Sequence, residues 1–233
     1  MRIPTDVARV YEQAGPFATV YLDATRATGR GAEDVRLHWQ ALRAVLAAGD
    51  ADEPTLRALD DAVAADRTPG EHGRVLVGAG GQTVLDVALP RASIRTQARW
   101  APLPHLMPYL AQLGLRIDHA EQTLDKLRAG QGHGRAVQGL APVIEALRRA
   151  QVDTLVLVDE PSPRVHAWIG PEPTQLARDV DELHDLGVDA PQPDRLDSAM
   201  VRAVAGTSAA LLTVPPDDLS VSDGMAALLR QKH

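Results

Sequence analysis

The chain contains no cysteine. Disulfides and thiolate metal sites are therefore excluded, and the composition fits a reducing compartment. Aromatic residues make up only 3% of the 233 residues, so a core has to be built from Leu, Val, Ile and Ala. Lysine occurs only at Lys126 and Lys232, leaving arginine to carry nearly all the positive charge. The net charge is −7. A uniformly acidic chain binds nucleic acid poorly, because phosphate neutralisation supplies most non-specific affinity; any RNA contact has to come from a local basic patch. No stretch approaches the ~18 apolar residues of a membrane span. The opening MRIPTDVARVYEQAG is broken by Pro4 and Asp6 and holds no apolar run for a signal peptide. A cytoplasmic protein with no membrane or DNA partner is expected.

What is present is the alternation of an α/β protein, long enough for two small domains. Phe17–Leu22 reads as a buried strand and Asp23–Gly31 as a turn-rich loop bearing Arg26 and Arg30. Val35, Trp39, Leu42 and Val45–Leu46 recur at helical spacing, predicting a helix over Glu33–Ala47. A second helix is expected over Pro54–Ala65, with proline in its first turn. Arg74–Gly78 and Thr83–Leu89 read as a hairpin around Gly80-Gly81, and Ile94–Trp100 as a further strand. Pro104–Gln112 reads as a short helix or extended linker. Ile117–Leu127 predicts a linker helix and Gly130–Gly134 a hinge. Beyond these, helices are expected at Ala141–Ala150, Thr174–Leu186, Ser198–Ala205 and Asp223–Arg230, and strands at Thr154–Val158, Val165–Ile169 and Ala209–Val214. Ala190–Pro193 reads as a surface loop. The resulting domains are residues 1–112 and 135–233, joined by residues 113–134.

Chemical signatures are few. His105, His119, His133, His166 and His184 lack the i,i+3 or i,i+4 spacing of helical metal pairs, so no metal or cofactor is expected. Gly130-Gln131-Gly132-His133-Gly134 follows a helix rather than a strand and lacks the Lys-Ser/Thr of a phosphate-cradling loop. Ser93, Ser162, Ser198, Ser208, Ser220 and Ser222 have no nucleophile-elbow frame. Asp159-Glu160 and Asp217-Asp218 read as solvated loop carboxylates. Gly80-Gly81-Gln82 spells a tripeptide that releases peptides in translation termination, but between two apolar runs it reads as a structural turn.

The segment AVQGLAPVIEALRRAQVDTLVLVDE (136–160) and the closing SDGMAALLRQ (222–231) resemble the C-terminal domain of the archaeal and eukaryotic peptide-chain release factor superfamily, which includes Pelota. There a helix leading into a strand opens the domain and a helix closes it. PFATVYLDATR (16–26), the helix with Leu37-His38-Trp39 and Leu42-Arg43, GRVLVGAGGQTVLDVALP (73–90) and ARWAPLPHLMPYL (98–110) resemble the N-terminal domain of a bacterial branch common in actinobacteria. Members of that branch resemble Pelota and Balon-like ribosome hibernation factors. The family has three domains; here about twenty residues follow Gln112 where a middle domain belongs, far below the ~50 residues of a normal domain.

The resemblance implies a non-catalytic, ribosome-associated factor that occupies the A site of idle ribosomes. Its N-terminal domain would face the decoding centre, and its C-terminal domain would face the stalk base or an elongation factor. Carried onto this chain, Arg26 and Arg30 in the loop and Arg36 on the next helix would contact RNA, guanidinium forks being suited to phosphates and stacked bases. Gln138, Asp159 and Arg230 would lie toward the protein partner. Two other readings stand beside it: a stress-linked interaction module that has lost ribosome binding, and a peptidyl-tRNA hydrolase using Gln82. Oligomeric state is left open.

Overall fold

The computed structural model describes residues 2–26, 31–91, 95–114, 117–131, 134–158, 165–215 and 221–230, with residues 114, 117–121 and 131 in backbone only. The chain divides into two compact units, Arg9–His105 and Met1–Ala8 with Leu106–His233. Both mix helices with sheets, as the α/β reading requires. Residues 106–112, expected in the first domain, group with the second unit.

A short helix, α1 (Thr5–Val10), opens the chain just after Pro4, in a stretch too short and too polar to show a period. The first unit then follows as β1 (Phe17–Asp23), α2 (Gly31–Ala48), α3 (Glu53–Ala65), β2 (Gly73–Ala79), β3 (Gln82–Leu89) and β4 (Gln97–Ala101). Its sheet is antiparallel throughout, in the order β3-β2-β1-β4. Alternation along the strands sends Ala18, Val20, Leu22 and Leu76 to one face. There they pack against Val35, Trp39, Leu42 and Leu46 of α2 and Leu56, Leu59 and Val63 of α3. The Trp39 ring N–H donates to Asp60 at 2.8 Å, fastening α2 to α3. Asp52 caps α3 by accepting from the Thr55 N–H at 2.9 Å, and Pro54 sits in the first turn, where its missing N–H costs nothing.

The second unit contains α4 (Met107–Gly114), α5 (Ile117–Gln131), β5 (Ala136–Gln138), α6 (Leu140–Arg148), β6 (Val152–Val158), β7 (His166–Ile169), β8 (Leu176–Ala177), α7 (Val180–Asp185), β9 (Gln192–Arg195), α8 (Leu196–Gly206), β10 (Ala210–Val214) and β11 (Met225–Leu229). A mixed sheet runs β10-β6-β11-β5, with β10 parallel to β6 and β11 antiparallel to both neighbours. A small sheet runs β8-β7-β9. Val156, Leu212, Val214 and Ala226 on one face of the mixed sheet bury Leu124 and Leu127 of α5. Leu155, Leu211 and Ala227, from the other face, are buried as well.

Several expectations for this unit are corrected. The segment read as a closing helix is β11, an interior strand reached through a 3₁₀ turn, Ser222–Gly224. MAALL is apolar throughout, so periodicity cannot separate helix from strand. The left-handed Asp223 and Gly224, at φ 57 and 65, break the chain immediately before it. The long helix expected at Thr174–Leu186 is β8 followed by α7, because Asp179 caps at Asp181 N–H (3.2 Å) and restarts the chain there. The proline-bearing Ala190–Pro193 loop enters β9, an edge strand where Pro193 pairs opposite Trp168; edges tolerate proline because one side needs no ladder donor. The expected linker helix α5 is buried through Leu124 and Leu127, and Gly130, expected in the hinge, lies within it. Its carbonyl accepts from the Arg135 N–H at 3.0 Å. Gly132 and His133 lie outside the described residues.

Candidate functional site

The ends of the first sheet differ in composition. At one end β1 stops at Asp23, β2 starts opposite it at Gly73, β3 stops opposite Gly73 at Leu89, and β4 starts opposite Tyr21 at Gln97. The loops leaving this end carry Arg26, Arg67, Arg91 and Arg95, and α2 begins there with Arg36 in its second turn. Arg36, Arg67, Arg91 and Arg95 are exposed and Arg26 is half-buried. Most nearby carboxylates are engaged internally. Asp23 accepts from the Thr25 N–H at 3.0 Å, Glu33 pairs with Arg36 at 3.7 Å, and Asp66 and Asp86 face Arg74. Glu33, Asp34, Glu71 and Asp86 are exposed, Glu33 and Asp86 while paired with Arg36 and Arg74.

Beneath the arginines lies a buried ionic network. Asp66 terminates α3 and turns its carboxylate inward, with 6% of the side chain exposed. Its Oδ1 accepts from the Thr68 N–H at 2.9 Å, and its Oδ2 lies 3.1 Å from His72 Nε2. Arg74, on the helix-covered face of β2, reaches Asp66 at 3.9 Å. It forks onto Asp86 through Nε (3.1 Å) and Nη2, and donates from Nη1 to the Ala62 carbonyl of α3 at 3.0 Å. Burial pushes the Asp66 carboxyl up. The Thr68 N–H, the His72 ring, the Thr68 hydroxyl and the Arg74 charge outweigh that and hold it at about 2, below its ordinary 3.8.

Of the residues predicted from sequence, Arg26 and Arg36 lie at this end. Arg26 extends the β1 ladder, its N–H donating to Gly70 O at 2.8 Å, and its Nε is shielded without a hydrogen-bond partner among the described residues. Gly31 starts α2 so close to Arg26 that a β-carbon there would fall 2.6 Å from Arg26 Cα. At ~1.5 Å rise per residue, Arg36 lies roughly 7.5 Å further along the helix. Arg30 lies outside the described residues. Arg67, Arg91 and Arg95 are gathered by topology, which residue spacing does not reveal. The one sequence signal is Arg74, a charge inside a strand pattern.

The Gly80-Gly81 turn sits at the opposite end. Seven-residue β2 separates the two ends by roughly 20 Å at about 3.3 Å per residue. Ala79 pairs with Gln82, so the glycines form a two-residue turn with φ of 56 and 77, as a primed turn demands. The Gly81 N–H donates to Thr55 Oγ1 at 2.9 Å, docking the turn on the first turn of α3. The start of α3 beside it carries Asp52 and Glu53, with Arg43 and Arg57 drawn onto Glu53 at 2.9 and 3.5 Å. Gln82 is exposed on the first residue of β3.

The remaining sequence candidates are dispersed. In the second unit Arg230 is tied to backbone carbonyls, from Nε to Val152 O at 3.0 Å and from Nη2 to Thr207 O. Asp159 lies outside the described residues. His184 Nδ1 approaches Val188 O at 3.0 Å. Among the described residues no group of three His, Asp or Glu side chains could hold a metal, and no helix is long and apolar enough to cross a membrane.

No protein-family model matches the chain. Over 103 residues it is 40% identical to the uncharacterized protein Rv2629 of Mycobacterium tuberculosis strain H37Rv. The identity to the uncharacterized protein MT2704 of strain CDC 1551 is the same. The match takes in 43% of this chain and 26% of each relative, so the chain spans about a quarter of the length of these relatives. The crystal structure of an archaeal translation termination factor, aRF1, aligns over 97% of this chain and 96% of that one, at 10% identity and a TM-score of 0.32.

Proposed function

We propose that this chain is a non-catalytic RNA-binding factor of the release-factor and Pelota type, with the arginine end of its first sheet set against ribosomal RNA. The observation that carries the reading is the convergence of Arg26, Arg67 and the pair Arg91 and Arg95 from three loops on one end of a sheet, with Arg36 beside them. Arginine supplies planar forks for phosphates and a flat face for stacked bases. In a chain of net charge −7, a local set of this kind is a surface on which phosphate contact is feasible. On this reading the A site of idle ribosomes is the target, the second unit faces a protein such as an elongation factor, and the family's middle domain is missing.

The test is co-sedimentation with vacant 70S ribosomes across a salt series. Saturable binding is expected, weakening with salt. Arg26→Glu with Arg67→Glu should lower affinity at least ~10-fold and flatten the salt slope by about one unit for each phosphate no longer bound. Arg36→Glu should do less, since Arg36 already shares its charge with Glu33. No binding at low salt would sink the proposal. A second reading, a protein-interaction module, is favoured by Leu37 and Val45, which stand 51% and 55% exposed on α2. Loss of binding to a protein partner on Leu37→Glu, with ribosome binding absent in the wild type, would select it.

A further inference from the structure

The β1–β2 ladder continues beyond its regular strands. Regular pairing ends at Asp23 with Gly73. In the same register the Ala24 N–H donates to His72 O at 3.0 Å and the Arg26 N–H to Gly70 O at 2.8 Å. The partner stretch is not a strand: residues 66–72 include Thr68, Pro69 and a left-handed Gly70 at φ 89. What fixes it is the charge beneath. His72 Nε2 meets Asp66 Oδ2 at 3.1 Å, closing the loop across six residues, and His72 Nδ1 faces Gly70 O at 3.4 Å. The Thr68 N–H binds Asp66 Oδ1, and Arg74 anchors the assembly to Asp86 and to the end of α3. Two carbonyls of this braced loop, Gly70 and His72, are the ones that hold the chain on either side of Thr25.

We infer that the Asp66–His72–Arg74 network positions Arg26 for its contact with RNA phosphate, an inference that rests on the reading proposed above. Alternation along β1 puts Leu22, Ala24 and Arg26 in one row, on the face that carries His72 and Arg74. The Arg26 side chain therefore leaves from the braced row, beside the start of α2. Buried ion pairs seldom stabilise a fold more than apolar side chains of the same volume. What this network does that apolar packing does not is fix the direction of two loop carbonyls, and through them the backbone of Arg26. Asp66, His72 and Arg74 are positioning residues here and touch no ligand.

Asp66→Asn, which preserves shape and removes the charge, tests this in the full chain. Amide hydrogen exchange at Ala24 and Arg26 should accelerate about 10-fold or more, while the Val20 and Leu76 amides in the strand interiors stay within about 2-fold of wild type. His72→Gln, which keeps a donor toward Asp66, should fall between Asp66→Asn and wild type. On vacant ribosomes Asp66→Asn should flatten the salt slope by about one unit, as Arg26→Ala does. Unchanged exchange at Ala24 and Arg26, or uniform acceleration through the whole sheet, would overturn the inference. The exchange measurement needs no ribosome. If the local acceleration appears but the wild type does not sediment with ribosomes, the positioning role stands and the RNA reading falls.

Discussion

The two ends of the first sheet are held by opposite means. At the arginine end the loops rest on buried charge: Asp66, His72 and Arg74, each nearly closed to solvent. At the turn end they rest on two left-handed glycines and neutral hydrogen bonds to α3, from Gly81 N–H to Thr55 Oγ1 and from Thr83 Oγ1 to Ala58 O. Glycines and a hydroxyl hold a turn at little risk, because losing the hydroxyl strands a single N–H. A buried ionic network fails abruptly, because losing one partner strands a charge. The fragile device sits under the arginines and the tolerant one under the Gly-Gly-Gln tripeptide. Conformational exactness is thus concentrated at the end proposed to meet RNA.

The sharpest way to break this comparison is to remove the central cation. Arg74→Leu leaves the inward-facing Asp66 carboxylate without its cation and the Ala62 carbonyl without its donor. A loss of about 3 kcal/mol is expected in urea unfolding. Gln82→Ala at the other end, on an exposed side chain, should stay within ~0.5 kcal/mol. Equal losses at both ends would mean the network is no more critical than the turn.

Acid separates the ends next. Asp66 is held at about 2 in the folded protein against an ordinary 3.8. A depressed carboxylate contributes stability that is fully present above its unfolded value and is lost as pH falls through the folded one. The contribution should thus be intact above about pH 4 and gone near pH 2, with a span on the order of 2 kcal/mol. Thermal unfolding of wild type and Asp66→Asn, compared at each pH from 5 to 2, isolates it from other carboxylates. The gap between the two proteins should shrink on acidification. A constant gap would show that Asp66 titrates as an ordinary carboxylate.

The turn end has its own weak point in Thr55, whose side chain is fully buried. Thr55→Val keeps the volume and deletes the acceptor of the Gly81 N–H. About 1.5 kcal/mol should be lost, half of the Arg74 effect, read by the same urea titration.

How far the sequence can be read also differs by region. In the first unit, strands with β-branched runs and helices with clear apolar spacing fall where Val35, Trp39, Leu42 and the Gly80-Gly81 turn place them. In the second unit, MAALL reads as a helix although it is a strand, because an unbroken apolar run carries no period and its interior place in the sheet is a tertiary fact. Asp179 as a mid-segment cap and Pro193 on an edge strand escape notice for a similar reason: each takes its meaning from a partner outside its own segment. Arg26 and Arg36 can be picked from the loop and helix that follow a strand. Arg67, Arg91 and Arg95 cannot, because four strands must first be ordered before their loops share an end. The Asp66–His72 contact needs α3 to stop where it does.

The smallest expected effect tests the tripeptide itself. Gly80 and Gly81 share the left-handed region, but their surroundings differ: a side chain at Gly80 meets open space, whereas one at Gly81 comes within 3.2 Å of Pro54 Cβ. Asparagine adopts this conformation more readily than other side chains. Gly80→Asn should therefore cost no more than about 0.5 kcal/mol, and Gly81→Asn about 1 kcal/mol, because Pro54 lies in the first turn of α3 and has little room to retreat. Thermal melting of the two variants side by side reads the difference. If the glycines serve only this turn, Gly80→Asn will leave ribosome sedimentation and its salt slope unchanged, since the arginines stand roughly 20 Å away along β2. A fall in sedimentation for Gly80→Asn with an unshifted melting point would instead give the turn its own place against the ribosome, and the contrast between the two ends would no longer be one of function against scaffold.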